Sequence, residues 1–337
     1  MAAKGPMIYI CSTIKNLGQS LLNKRPDINI RIVPVAKSEF EKEAGLPPGT
    51  VETLKEAEVI VGEPQLLGPV MYSLPKLKWM SLTWAGIDAM LPHVDHSKPA
   101  PPYKLTRFGG VFGEHMAEYV IGHIIANERH FFRIYEDNKK KEWAHDSVAE
   151  YRILPQLILG ILGMGDIGKD VAKAAKALGM QVWGMTRRPM SDDRRSPHVD
   201  KYIQTENMAD LLKSCDYLCN ILPSTPSTRG LLSGDVLSHC KNKKAVFINV
   251  GRGDVIDDKS LLKAVREGWL DKAVLDVQSE EPVPPDSPLW EQSSIYISPH
   301  VSAVSFADQF VDLFVENYDR YICGKKLKYE ANIMDGY

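Results

Sequence analysis

No stretch of this 337-residue chain is apolar for long enough to cross a membrane, since a spanning helix needs about 20 such residues. The first apolar run, Met7-Ile-Tyr-Ile-Cys11, has five residues and is too short for a secretory h-region, and Asp335-Gly-Tyr337 is no retrieval signal. The expectation is a cytoplasmic protein with no membrane partner. An excess of charge of one sign is missing as well. Lys plus Arg (41) against Asp plus Glu (43) leaves a formal charge of −2, which argues against nucleic acid and toward a small molecule. Paired cysteines are absent too: Cys11, Cys215, Cys219, Cys240 and Cys323 form no CxxC and leave one over in any full pairing, so neither a disulfide framework nor a metal site is expected. Low-complexity tracts and short-period repeats are also missing.

What is present is ordinary globular material, 44% hydrophobic and 25% charged, in a length that at about 150 residues per domain suggests two domains. Short apolar runs alternate with helical patterns throughout, the mark of parallel sheets with crossover helices, so the fold class reads as α/β. Met7 to Cys11, Ile28 to Val35, Val59 to Gly62 and Trp79 to Leu82 read as strands of a small first domain, with Val51 to Ala57 as an amphipathic stretch among them. Lys98-Pro-Ala-Pro-Pro-Tyr103 follows, and its prolines forbid helix and stiffen the chain, which predicts a domain boundary there.

Gly113 to Lys141 carries Met116, Ala117, Val120, Ile121, Ile124, Ile125, Phe131 and Phe132 at helical spacing and reads as one long helix. Leu157 to Leu162 is apolar on both faces, as a central strand of a covered sheet would be. Gln181 to Met185, Tyr217 to Leu222, Ala245 to Val250, Ala273 to Val277 and Ile295 to Ser298 continue a doubly wound second domain. The last helix, about Ser305 to Cys323, is expected to return to the first domain. The domains are then 1–103 with 304–337, and 104–303.

Gly163-Met-Gly165-Asp166-Ile167-Gly168 lies directly between the central strand and the helical pattern Lys169 to Leu178. The spacing alone is weak, but the flanks are those a dinucleotide site requires: Gly163 for the tight turn, Gly165 for close approach of a pyrophosphate, Gly168 for helix-sheet packing. Amides opening that helix, with its dipole, would stabilise the diphosphate. The second strand of such a unit usually ends in an acid that binds the ribose. This chain has Thr186-Arg187-Arg188 instead, and Arg binds a phosphate bidentately, so NADP(H) is favoured while NAD(H) stays open because an exposed Arg can also stack on adenine.

Reacting groups of open α/β sheets collect where strands end. Three of these strands run into Arg252, Glu281 and His300, which would open onto one cleft. The set suits reduction of a 2-oxo acid: Arg252 to hold the carboxylate and polarise the ketone, His300 to supply the proton, Glu281 to favour the imidazolium and fix its orientation.

The blocks Gly160 to Gly168, Asn220 to Gly230, Ile248 to Asp257, Leu275 to Pro282 and Ser298-Pro-His300, in this order, resemble the signatures of the D-isomer-specific 2-hydroxyacid dehydrogenase family over most of the chain. The resemblance implies a Rossmann coenzyme domain inserted into a flavodoxin-like substrate domain. It puts Arg252, Glu281 and His300 on the family's catalytic positions and Asp276 on an acid of the coenzyme site that tunes the pH response. Thr83 to Asp88 looks like the loop whose amides cradle the substrate carboxylate, which points to Trp84, Ala85 and Gly86. Leu222, Pro223, Thr228, Val250 and Gly251 would line the coenzyme channel, mainly through their backbone.

Trp84 to Asp88, Phe112 to Val120 and Pro299 to Val304 look most like the glyoxylate and hydroxypyruvate reductase branch, although Ala303 replaces the commoner Gly and Trp84 is bulky. Residues 113–141 resemble the family's dimerisation helix, which implies a homodimer. Trp143 would either reach a neighbouring subunit's site or pack on its own helix. A dinucleotide-sensing, corepressor-like protein is the rival reading, with balanced charge and the lack of long tails weighing against it. Formate oxidation would favour Gln where Glu281 stands.

Overall fold

In a computed structural model, which describes residues 5–36 and 45–334, the chain divides into two compact units, one made of Met1–Val111 with Val304–Tyr337 and the other of Phe112–Ala303. The terminal Asp335-Gly-Tyr337, read above for a retrieval signal, lies outside the described residues.

The first unit holds a parallel sheet of β1 (Ile8–Cys11), β2 (Ile30–Ile32), β3 (Val59–Gly62), β4 (Trp79–Leu82) and β5 (Lys104–Thr106) in the spatial order β2-β1-β3-β4-β5. This is the flavodoxin-like order. Strands β1, β3 and β4 are buried at every position, as continuous apolar runs in a sheet covered on both faces must be. Helices α1 (Leu17–Lys24), α2 (Thr50–Leu54) and α3 (Pro64–Leu67) connect these strands. The C-terminal helix Ala307–Ile322 buries Phe310, Val311, Phe314 and Tyr318 at helical spacing. Phe314 stacks on Trp79 of β4 with ring centroids 5.0 Å apart, and Phe310 meets Phe108 edge-on at 5.2 Å.

Two expectations change here. The first boundary falls after Val111 rather than after Tyr103, because Lys104–Thr106 pairs with Trp79–Ser81 as an edge strand and Phe108 is buried against the C-terminal helix. Strand β2 keeps only Ile30–Ile32 of the expected Ile28 to Val35; Pro34 has no amide to give the ladder.

The second unit holds a seven-stranded parallel sheet of β6 (Ile158–Leu162), β7 (Gln181–Thr186), β8 (Lys201–Gln204), β9 (Tyr217–Asn220), β10 (Ala245–Asn249), β11 (Leu270–Leu275) and β12 (Ile295–Ile297), ordered β12-β11-β10-β9-β6-β7-β8. The strand order reverses between β6 and β9, which is where such folds bind dinucleotides. Strand β8 was invisible to the apolar pattern because two of its four residues, Lys201 and Gln204, are polar.

Helices α4 (Phe112–Glu128), α5 (Phe131–Lys140), α6 (His145–Val148), α7 (Asp166–Ala177), α8 (Met208–Ser214) and α9 (Asp258–Arg266) complete the unit. The single helix expected over 113–141 is thus two. His130 takes a left-handed φ of 55°, and its ring is 2.8 Å from the Glu150 carbonyl. The end of α4 is tied to the sheet: Glu128 accepts from Tyr217 Oη at 2.7 Å and from Arg152 at 2.6 Å. No Gly or Pro marks this break, and the apolar stripe runs through it, so periodicity alone could not show it. Trp143 is 93% exposed, so it does not pack on its own helix.

Candidate active site

The glycine loop follows β6 at the strand-order reversal. Gly163 has a φ of +109°, a conformation L side chains rarely adopt. A Cβ at Gly168 would lie 2.2 Å from the Gly163 carbonyl oxygen, so only glycine lets α7 start this close to its strand. A Cβ at Gly165 would meet nothing within 4 Å, leaving its backbone open to a ligand at the N-terminus of α7. Asp166 is exposed and Ile167 half-buried at that terminus. The geometry fits a diphosphate held by amides.

Strand β7 ends at Thr186, whose hydroxyl donates to the Arg188 carbonyl at 2.9 Å and shapes the turn. Arg187 and Arg188 are exposed and form no ion pair among the described residues. The coenzyme channel residues divide. Gly251 must be glycine, since a Cβ there would come within 2.8 Å of the Leu222 carbonyl oxygen. Leu222 is half-buried and Pro223 exposed. Val250 is buried in the core, so only its backbone is on offer, and the Thr228 hydroxyl is spent on its own loop, donating to the Pro223 carbonyl at 2.5 Å.

Arg252, Glu281 and His300 are brought together through backbone contacts. Arg252 Nη1 donates to the Gly251 carbonyl at 2.7 Å, and the Arg252 carbonyl accepts from Asn249 Nδ2 at 3.2 Å. The next residue, Gly253, rests on the turn that carries Glu281; a Cβ there would fall 1.9 Å from the Gln278 carbonyl. The Gln278 amide donates to Glu281 Oε1 at 2.9 Å, and Glu281 Oε2 lies 3.0 Å from His300 Nδ1. A carboxylate accepts, so Nδ1 carries the hydrogen and Nε2 is the nitrogen left for a substrate. The His300 side chain is 50% exposed, as an acid-base group must be to reach a ligand.

Asp276 lies behind His300. Its side chain is wholly buried, Oδ1 accepts from Ser298 Oγ at 2.6 Å and from the Val301 amide at 2.8 Å, and Oδ2 accepts from the Ser302 amide at 2.9 Å. It braces the His300 turn and presents no surface to a coenzyme.

In the first unit Trp84, Ala85 and Gly86 form the bend immediately after β4, all half-buried. The Trp84 carbonyl accepts from the Phe108 amide at 2.9 Å, and the Thr83 carbonyl from Ser305 Oγ at 2.6 Å. The amides of Ala85 and Gly86 donate to no group among the described residues.

A family model described as D-isomer specific 2-hydroxyacid dehydrogenase, NAD binding domain, matches residues 121–302. The chain belongs to the D-isomer-specific 2-hydroxyacid dehydrogenases. A glyoxylate/hydroxypyruvate reductase A of Escherichia fergusonii is 31% identical over 269 residues, 77% of this chain and 82% of that protein. The solved D-isomer specific 2-hydroxyacid dehydrogenase family protein of Aeromonas salmonicida is 31% identical with a TM-score of 0.82, covering 97% of this chain and 99% of that one. The fold is shared with an NADPH-dependent glyoxylate/hydroxypyruvate reductase of Sinorhizobium meliloti solved with NADP and sulfate (23% identity, TM-score 0.79, covering 99% of this chain and 100% of that one).

This 2-hydroxyacid dehydrogenase is therefore an NAD(P)-dependent oxidoreductase of two α/β units with a Rossmann coenzyme unit. One feature of the dehydrogenase escaped the sequence reading. Glu63, directly after β3, is wholly buried; its Oε1 accepts from Ser12 Oγ at 2.7 Å and from the Thr13 amide at 3.1 Å, while Oε2 has no partner among the described residues. Burial pushes its carboxyl above the ordinary value. An acid at a strand end was the available signal, but Glu63-Pro64 reads equally as a loop.

Proposed function

We propose that this dehydrogenase reduces a small 2-oxo acid of the glyoxylate or hydroxypyruvate class to the D-2-hydroxy acid, with NADPH as the preferred coenzyme. The observation that carries the reading is the Glu281 carboxylate fixed between the Gln278 amide and His300 Nδ1, on a turn that touches the Arg252 turn. Bound coenzyme supplies the hydride. Arg252, always cationic, binds the substrate carboxylate and stabilises charge building on the ketone oxygen. His300 Nε2 gives the proton that the new alkoxide takes up, and Glu281 holds the ring and stabilises its charged form. Ala85 and Gly86 offer amides for the carboxylate, beside Trp84. Gly163, Gly165, Asp166, Ile167 and Gly168 hold the diphosphate, and Leu222, Pro223, Val250 and Gly251 border the coenzyme through their backbone.

Support for NADPH comes from Thr186-Arg187-Arg188 standing where an NAD site has an acid, and from the NADPH-dependent Sinorhizobium protein. The test follows 340 nm absorbance with NADPH and NADH over glyoxylate, hydroxypyruvate, pyruvate, phenylpyruvate and oxaloacetate. Fast turnover of glyoxylate or hydroxypyruvate with NADPH is expected. Turnover with NADH alone would overturn the coenzyme preference, and silence from every acid with coenzyme bound would favour a dinucleotide sensor.

The assembly proposed is a cytoplasmic homodimer through 112–153. Phe131, Phe132, Tyr135, Trp143 and Ile153 are all more than half exposed on this segment, an apolar patch of the kind that partners cover. Light scattering at micromolar concentration should give twice the chain mass; a monomer would remove the dimer.

A further inference from the structure

The contacts behind His300 do not end at Asp276. Ser298 Oγ gives its one proton to Asp276 Oδ1, and the same oxygen is 2.6 Å from Tyr119 Oη. Tyr119 must then be the donor in the second bond, which sets a direction from Tyr119 through Ser298 to Asp276. Burial pushes the Tyr119 phenol up, so it keeps its proton. The ring is itself held: it packs on His123 of the same helix α4 at 4.4 Å, and His123 packs at 4.9 Å on Tyr296 of β12, the strand that delivers Ser298.

The other end of this chain needs restraint. His300 has a φ of 55°, left-handed and unusual for a side chain of its size. Such a residue persists only where its surroundings over-determine it. The His300 amide is shared between the Asp276 and Ser298 carbonyls, both at 3.0 Å, and the Val301 and Ser302 amides donate to the two Asp276 carboxylate oxygens. A carboxylate that turned freely could not hold both amides at once. What stops it turning is the Ser298 hydroxyl, and what orients that hydroxyl is Tyr119.

We propose that Tyr119 and Ser298 are positioning residues for His300, a directed pair of hydroxyls that runs from α4 to Asp276 and keeps the 299–302 turn where Nδ1 meets Glu281. The kinetic consequence rests on the reductase reading; the structural one does not. Both are read in Tyr119→Phe, Ser298→Ala and Ser298→Thr. Amide exchange at Val301 and Ser302 should quicken about five- to tenfold in Tyr119→Phe and Ser298→Ala as the turn opens more often. In the same two variants kcat should fall about tenfold with the coenzyme KM unchanged. Ser298→Thr, which keeps the hydroxyl, should restore both. Wild-type exchange and kcat in Tyr119→Phe would overturn the proposal, as would a raised coenzyme KM with kcat unchanged, which would make Tyr119 a coenzyme-holding group. If wild type reduces no 2-oxo acid, the reductase reading falls and exchange alone decides the relay.

Discussion

The two units use their buried acids in opposite ways. In the second unit each buried acid among the described residues has both oxygens bonded: Asp276 by a hydroxyl and two amides, Glu128 by Arg152 and Tyr217, Asp137 by Arg133, Asp216 by the Ile158 amide, Arg152 and Lys243. In the first unit Glu63 uses one oxygen and leaves the other, Oε2, without a partner among the described residues. The hydroxyl of Thr83, which follows Leu82 as Glu63 follows Gly62, is in the same condition, and those two glycine and leucine residues are register partners. Saturated acids act as fixed anchors, because every lone pair is directed and the charge is compensated. Burial of the half-used Glu63 instead favours its neutral form, raising its carboxyl above the ordinary value. In the proposed reaction the second sheet thus carries the acid-base residues, while the first offers backbone amides after β4.

The comparison breaks most visibly at His300. Replacing it with alanine should lower turnover about 100-fold or more, while quenching of protein fluorescence by bound NADPH stays as in wild type. Glu63→Gln, at the matching end of the first sheet, should leave turnover within about twofold, because that side chain is wholly buried and its hydrogen bonds among the described residues go to the Ser12-Thr13 turn. Equal losses in the two variants would mean that the sheets share the chemistry, and an unaffected His300→Ala would remove His300 from the mechanism.

What the sequence could tell follows the same division. Glycines are legible when a contact demands them, and Gly163 and Gly168 do, because a positive φ and a 2.2 Å approach permit nothing else. Strands β3 and β4 were legible to the residue, being largely apolar and buried at every position. Edge strands were less legible: β12 was read to within one residue and β2 too long, while β5 and β8, short and partly exposed, lose the apolar pattern that reveals a strand. The break at His130 was hidden because a left-handed residue need not be glycine once Glu128 and Asn127 pin the helix end to Tyr217. Asp276 was found by motif, but its bonds to the His300 turn were not legible, since which way a carboxylate faces depends on amides 25 and 26 residues away.

The smallest expected effect is the most direct measure of the first sheet's acid. Glu63 ionises near 4.5 when unfolded, and burial raises that value in the fold. Between the two values the folded state binds more protons than the unfolded one, so stability is greatest below 4.5 and declines as pH rises through the window. Nearby Cys11 does not add to this slope, because burial and the Glu63 charge hold its thiol up at about 12. Glutamine keeps an acceptor oxygen for Ser12 and Thr13 but cannot ionise. The exchange protection of the Ile10 and Val61 amides, on β1 and β3, should therefore fall with pH in wild type relative to Glu63→Gln, starting near 4.5 and levelling off once Glu63 has lost its proton in the fold. Parallel protection profiles would show that the Glu63 proton is not linked to folding, and the contrast between a half-used acid in the first unit and fully bonded acids in the second would lose its energetic meaning.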